Sequence, residues 1–449
     1  LDNTALIITI AVLAMFILLF LIIKTKLQAF LALIIASLFV GLAVGMPPQE
    51  LITHIEESMG GTLGFVALII GIGTIFGEVL RASGASEKLA LTLMDKFGEK
   101  NIVWALAASG FLVSIAVFID VAIVILVPLT YALVRRSKKS LLYYGIPLTA
   151  GLSVTHTFIP PTPGPIATAS IIGADLGYVI LFGVIAAIPA VIIAGPIFGT
   201  FISKKIYVGI PEQFEKSTFE YDEEKLPGFR GILIILLTPL LLILGNTFSD
   251  LLLPEGNIIR EILMFIGNPI IALLIVTLLS IWFYGHRRGF TKEEMQRITT
   301  RALEPAGIII LITGAGGVFG QTLIATGIGD ILADAMQTIN MPLVVFGFVT
   351  ASLIRITQGS GTVSMITAAS LVAPLIPHFD VSEPMLGVVT IAIACGGTAF
   401  SHVNDSGFWM ANRYFGMSVA DTLKSWTVMK TLVGLTGFAV CLILSIFVP

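Results

Sequence analysis

"GTIFGEVLRASGASEKLA", Gly73 to Ala90, returns later in the chain as "GGVFGQTLIATGIGDILA", Gly316 to Ala333. The offset is 316 − 73 = 243, and 8 of the 18 positions are identical; roughly two would coincide by chance in a chain so rich in glycine, alanine and leucine. At the same offset Ala108-Ser109 meets Ala351-Ser352. With three more residues in the second copy, "VPL" at 127–129 meets "APL" at 373–375, and the register becomes 246. That register sets Gly151 on Gly397, Thr155 on Ser401 and His156 on His402. The polar stretch "SHVNDSGFW" (401–409) thus gains a partner, "THTFIPPTP" (155–163).

Composition says what kind of unit is repeated. The chain has 449 residues, 56% hydrophobic and 12% charged, with a mean hydropathy of +1.00, which excludes an ordinary water-soluble globule. Apolar runs near the roughly 20 residues needed to cross a bilayer recur along the whole length, so the lipid bilayer is its first partner. Crossing candidates are 5–23, 27–45, 61–81, 178–202, 230–247, 258–283, 303–324 and 425–448. The first begins without a small-residue cleavage signature and reads as a span rather than a leader. Cys395 and Cys441 both lie in apolar runs, so neither a disulfide framework nor a metal site is expected, and no cofactor. A net charge of −3 argues against a nucleic-acid partner.

Other apolar stretches are interrupted. Segments 101–119 and 121–135 meet at "VFIDVA", and 342–354 and 361–376 meet at "IRITQGSGTVS"; both pairs are predicted to be re-entrant hairpins. Segments 141–170 and 385–413 contain "HTFIPPTPGP" and "SHVNDSGFW", which should break a helix midway. An odd number of crossings between the repeats, five, makes the second copy inverted. The expected fold is an all-α polytopic membrane protein with two inverted-topology repeats, re-entrant hairpins and broken helices, the architecture of secondary transporters. The first half is 1–202 (hairpin 101–135, broken helix 141–170), a cytoplasmic linker is 203–229, and the second half is 230–449 (hairpin 342–376, broken helix 385–413). Basic clusters at Lys24/Lys26, Arg81–Lys100, Arg135–Lys139, Lys204–Arg230 and Arg287–Arg301 fall on one side if both termini are outside; loop 46–60, with Glu50, Glu56 and Glu57, and 377–384 then face outward.

Irregular backbone at membrane depth is tolerated where protein or a water-filled cavity satisfies it, so the breaks and hairpin tips should line a chamber. Asp120, a carboxylate between apolar runs, suits proton coupling; the alternative is a cap on the second hairpin helix. Arg355 can fork onto a carboxylate, which points to a small anionic substrate; the alternative is an ion pair with Asp405. Thr357, Gln358, Gly359, Ser360, Gly361 and Thr362 open the next helix, whose amides favour anions. His156 and His402 suit proton relay or hydroxyl contacts, or structural hydrogen bonds. Ser401, Asn404, Asp405 and Ser406 either hold a polyol or satisfy the broken backbone. Thr157, Thr162 and Gly164 complete the candidate substrate set, and Pro160, Pro161, Pro163 and Pro165 shape the first break. "GAGGVFG" (314–320) superficially resembles a nucleotide loop but lies inside an apolar run without a preceding strand, so small-residue helix packing is expected. No catalytic residues are expected, because no convincing nucleophile–base pair or metal cluster is present.

"RITQGSGTVS" (355–364), "SHVNDSGFWMANRYFGMS" (401–418), "FIPPTPGPIA" (158–167) and "GVFGQTLIATG" (317–327) resemble the signature segments of the gluconate permease family of proton symporters, over nearly the whole chain. The resemblance implies a bacterial inner-membrane permease for gluconate or a related small hydroxy acid, coupled to protons. It also implies a homodimer with scaffold and mobile transport parts working by elevator-like alternating access. The chain departs from the family pattern at Thr162, where histidine is usual, and at Gly361, where alanine is. The remaining readings are a permease for D-serine or another small carboxylate, possibly Na⁺-coupled, and, in a different class, a channel or an intramembrane enzyme.

Overall fold

The computed structural model describes residues 3–212, 226–327 and 341–448, together with 334, 336 and 338. Residues 213–225 of the linker and 328–333 of the second repeat segment lie outside the described residues. Among the described residues the fold is helical throughout, without strands. In chain order the helices are α1 (Asn3–Ile23), α2 (Ala29–Ala43), α3 (Pro48–Ala82), α4 (Ala85–Phe97), α5 (Ile102–Val113), α6 (Ile119–Ser137), α7 (Leu141–Phe158), α8 (Pro163–Ile172) and α9 (Leu176–Ile202). After the linker come α10 (Phe229–Leu252), α11 (Ile258–Ile266), α12 (Pro269–Ser280), α13 (Lys292–Ala325), α14 (Leu343–Gln358), α15 (Gly361–Val372), α16 (Glu383–Thr398), α17 (Ser406–Phe415) and α18 (Val419–Phe447). Among the described residues seven helical stretches are long and apolar enough to cross a bilayer: α3, α9, α10, α13 and α18, together with Pro269–Arg288, which extends α12, and Gly361–His378, which extends α15.

The interruptions read from sequence are real. Residues 114–118 separate α5 from α6, 359–360 separate α14 from α15, 159–162 break α7 from α8, and 399–405 break α16 from α17. Each hairpin is locked to the first half of a broken helix by missing side chains. A Cβ on Gly110 of α5 would lie 2.2 Å from the Leu148 carbonyl of α7, and one on Gly151 of α7 would lie 2.2 Å from that of Ala107 on α5. A Cβ on Gly396 of α16 would sit 2.3 Å from the Phe348 carbonyl of α14. The small-residue reading of 314–320 also holds. α13 packs along α3, with Gly314 against Met59 and Gly317 against Thr62, while Ser370 of α15 donates to the Gly316 carbonyl at 2.6 Å.

Three sequence readings change. The expected loop 46–60 is largely helix, because α3 starts at Pro48 and carries Glu50, Glu56 and Glu57. The expected crossing 258–283 is two helices. Asn268 accepts from the Ile270 amide at 3.1 Å and Pro269 opens α12, so α11 must end before them; α11 itself buries no residue. The register also differs. Ends of α3 and α13 (325 − 82), starts of α8 and α17 (406 − 163) and their ends (415 − 172) all give 243. Thr162 and Asp405 then correspond, each the residue just before its helix, whereas His156 lies in the last turn of α7 and His402 in the break after α16.

Candidate functional site

Hairpin tips and breaks converge on a cavity of about 370 Å³, within the roughly 300–1,000 Å³ of small-molecule sites. Asp120 reaches it from the first turn of α6, His156 and Thr157 from the last turn of α7, and Arg355 and Gln358 from the end of α14. Gly359, Ser360, Gly361 and Thr362 supply the second hairpin tip. Thr398, Asn404, Asp405 and Ser406 come from the second break. Thus most of the residues singled out from sequence share one chamber.

Several do not line it. Thr357 turns to an apolar crevice between α1 and α14, its hydroxyl donating to the Ile354 carbonyl at 2.9 Å. Thr162 is buried at the first break and donates to the Ile159 carbonyl at 2.7 Å. Gly164 leaves room for Met365, whose Cε would lie 2.3 Å from a Cβ there. Ser401 is buried behind the chamber wall, accepting from Trp426 Nε1 at 2.9 Å and donating to Asp405 Oδ2. His402 sets its Nδ1 against Asn404 Oδ1, outside the lining.

The tips are fixed by their backbone. Gly359 ends α14 at φ +85°, and a Cβ there would lie 2.2 Å from the Asn404 carbonyl, so the hairpin rests directly on the broken loop. Asn404 Nδ2 donates to the Ile356 carbonyl at 2.9 Å, and Gln358 Nε2 donates to Ser364 Oγ and the Ser360 carbonyl, each at 3.1 Å. The N-termini of α6, α15 and α17 all reach the cavity, through Ile119, Gly361 and Ser406. Asp405 caps α17 through the Gly407 amide at 3.1 Å, and Ser360 caps α15 through that of Val363 at 3.4 Å. The amides at the start of α6 accept no such help: its N-cap is Phe118, and no side chain caps it. Asp120 is therefore not a cap, and among the described residues its carboxylate makes no hydrogen bond or ion pair and is exposed to the chamber.

Arg355 realises the ion-pair reading. Its Nη2 donates to Asp405 Oδ2 and its Nη1 to the Gly359 carbonyl, with the two side chains only 3% and 11% exposed. Asp405 accepts from Arg355 and Ser401 at Oδ2 and from the Gly407 amide at Oδ1, whereas Arg355 Nε has no partner. Arg355 lines the cavity, and the two contacts engage only two of its five N–H groups. Sequence reasoning missed Lys430 of α18, which is 7% exposed, lines the cavity and donates from Nζ to Ser153 Oγ of α7 at 2.5 Å. Its signal was present: a lysine within the apolar run 425–448. Trp426, one turn earlier, also lines the chamber.

A multi-span helical bundle that encloses an ionised cavity at helix breaks is built as a membrane transporter, not an enzyme. The YdaH transporter of Alcanivorax borkumensis shares the fold, with a TM-score of 0.64 over 90% of each chain at 15% identity. The chain belongs to the GntP permease family, whose description, GntP family permease, it matches across residues 5–447. It is 39% identical to a gluconate permease of Pseudomonas aeruginosa, covering 95% of this chain and 94% of that one. It is also 39% identical to a low-affinity gluconate transporter of Escherichia coli, covering 96% and 97%.

Proposed function

We propose that the protein is a secondary active transporter importing gluconate or a related small sugar-acid anion across the bacterial inner membrane together with protons. The observation that carries this reading is the charge census of the chamber: Arg355 and Lys430 against Asp405 and Asp120, with only the Arg355–Asp405 pair in contact. An anion added to that balanced set leaves an uncompensated negative charge in a low-dielectric site, and a proton on Asp120 restores neutrality. Anion and proton therefore enter together. Arg355 offers its unused N–H groups to the carboxylate, aided by the α15 amides of Gly361 and Thr362. Gln358, Ser360, Thr362, Asn404 and Ser406 take hydroxyls, and His156 and Thr157 complete the lining.

The names of the relatives support gluconate as the first acid to test. In the same reading the two copies have inverted topology, both termini are outside, and the chain works as a homodimer. The hairpins and broken helices move as one body against α3 and α13, which pack along each other, an elevator-like exchange. Uptake of labelled gluconate and other sugar acids into proteoliposomes holding the purified protein tests the assignment. Counterflow separates a carrier from a channel. The reading expects gluconate-driven counterflow; conduction without counterflow overturns it.

A further inference from the structure

Two of the four chamber charges answer each other, and two do not. Arg355 and Asp405 are in contact, and Asp405 also accepts from Ser401 and the Gly407 amide. Lys430 is buried, yet among the described residues no carboxylate lies within ion-pair distance of its ammonium group. Its hydrogen bond is to the neutral Ser153, and the Trp426 ring lies 5.9 Å away. Asp120 is likewise without a direct partner on the cavity wall. A buried ammonium facing only a hydroxyl and an aromatic ring is poorly compensated, and the carboxylates that share its cavity are Asp405, already engaged by Arg355, and Asp120. Lys430 lies three residues past the π-helical turn Leu423–Thr427 of α18.

We propose that Lys430 is an exchangeable carboxylate-binding group: Asp120 balances its charge within the chamber, and the substrate carboxylate takes it over once Asp120 has accepted a proton. This rests on the proton-coupled reading above and names the residue that links the two ligands. Before loading, the exchanging groups are Asp120⁻ and Lys430⁺; after loading, they are neutral Asp120, the substrate anion and Lys430⁺. The sum is zero in both states, so one proton accompanies one monovalent anion. The bond formed is a hydrogen-bonded ion pair from Nζ to a substrate oxygen, and the contact given up is Nζ to Ser153. Arg355, already held by Asp405 and the Gly359 carbonyl, stays in place as the fixed arm of the same carboxylate site. The titratable and charged groups facing Lys430 are Asp120 on α6, His156 on α7, Arg355 on α14 and Asp405 before α17.

Gluconate binding to purified protein, measured calorimetrically from pH 5 to pH 9, tests the exchange in wild type, Asp120→Asn, Lys430→Met and the Asp120→Asn/Lys430→Met double variant. Wild-type affinity is expected to fall as pH rises, toward tenfold per unit once Asp120 has ionised. Asp120→Asn should bind tightly with a flat profile. Lys430→Met should bind at least tenfold more weakly at low pH, and in the double variant the asparagine should no longer confer tight binding. Lys430→Arg, which keeps the charge, should regain part of the loss. If Lys430→Met does not elute as a folded species, the double variant, which buries no lone charge, carries the comparison. Wild-type affinity and profile in Lys430→Met overturn the exchange alone. A profile flattened by His156→Asn but not by Asp120→Asn overturns it too, by moving the proton to the histidine. Wild-type protein that binds no sugar acid at any pH overturns both this inference and the function it rests on.

Discussion

Arg355→Gln removes a guanidinium that donates to both Asp405 and the Gly359 carbonyl, and it strands Asp405 at 8% exposure with only Ser401 and the Gly407 amide. Breaking a buried pair from one side costs about 3–5 kcal/mol, because the other charge stays buried. Asp405→Asn strands Arg355 by the same logic, although asparagine remains a good N-cap for α17. In the double variant neither charge is left, so its loss should not exceed that of either single change. The coupling energy is then at least about 3–5 kcal/mol. Cys395 and Cys441 are both buried and free, so a thiol-reactive dye reports unfolding of the purified protein directly. Gluconate affinity is measured on the same samples. The account expects the double variant to regain stability but not binding, because Arg355 also serves the substrate; restored binding would return Arg355 to a purely structural role. Arg355→Gln with wild-type stability refutes the reasoning about the pair altogether.

Asp120→Asn should abolish pH-driven accumulation of gluconate while gluconate exchange survives, read by counterflow at symmetric pH; normal accumulation removes Asp120 from coupling. Gly359→Ala forces a Cβ to 2.2 Å from the Asn404 carbonyl at a φ of +85°, so stability should fall by about 1–3 kcal/mol or more and binding with it; a neutral outcome means the hairpin does not rest on the broken loop as described. Single-cysteine labelling in a cysteine-free background should reach Lys139 only from the cytoplasm and Glu50 only from outside, and labelling of Lys139 in intact cells with an impermeant reagent contradicts the topology.

The breaks were legible because their cause is local. Proline at 160, 161, 163 and 165, and the polar run 401–406, cannot continue an apolar helix wherever the rest of the chain lies. Small-residue packing at 314–320 was legible for the same reason, since glycine spacing on one helix marks a close approach even before the partner is known. Which side chains face the chamber was less legible, since rotation about a helix axis is set by packing. Thr357 sits two residues past Arg355 and so turns away toward α1, while Gln358, at the adjacent i+3 position, turns inward. Lys430 stands out in sequence as a basic residue outside the cytoplasmic loops, but only the packing of α7, which brings Ser153 against it, ties it to the chamber. The Arg355–Asp405 contact joins residues 50 apart in sequence and could be weighed from sequence only as an alternative.

The central claim is that anion and proton move together through this chamber, and flux in proteoliposomes tests it most directly. With the interior made alkaline and no gluconate gradient imposed, labelled gluconate should accumulate inside above its external concentration, and a protonophore should discharge it. Uptake that only equilibrates gluconate, or that accumulates it with a sodium gradient and not with a proton gradient, contradicts the account.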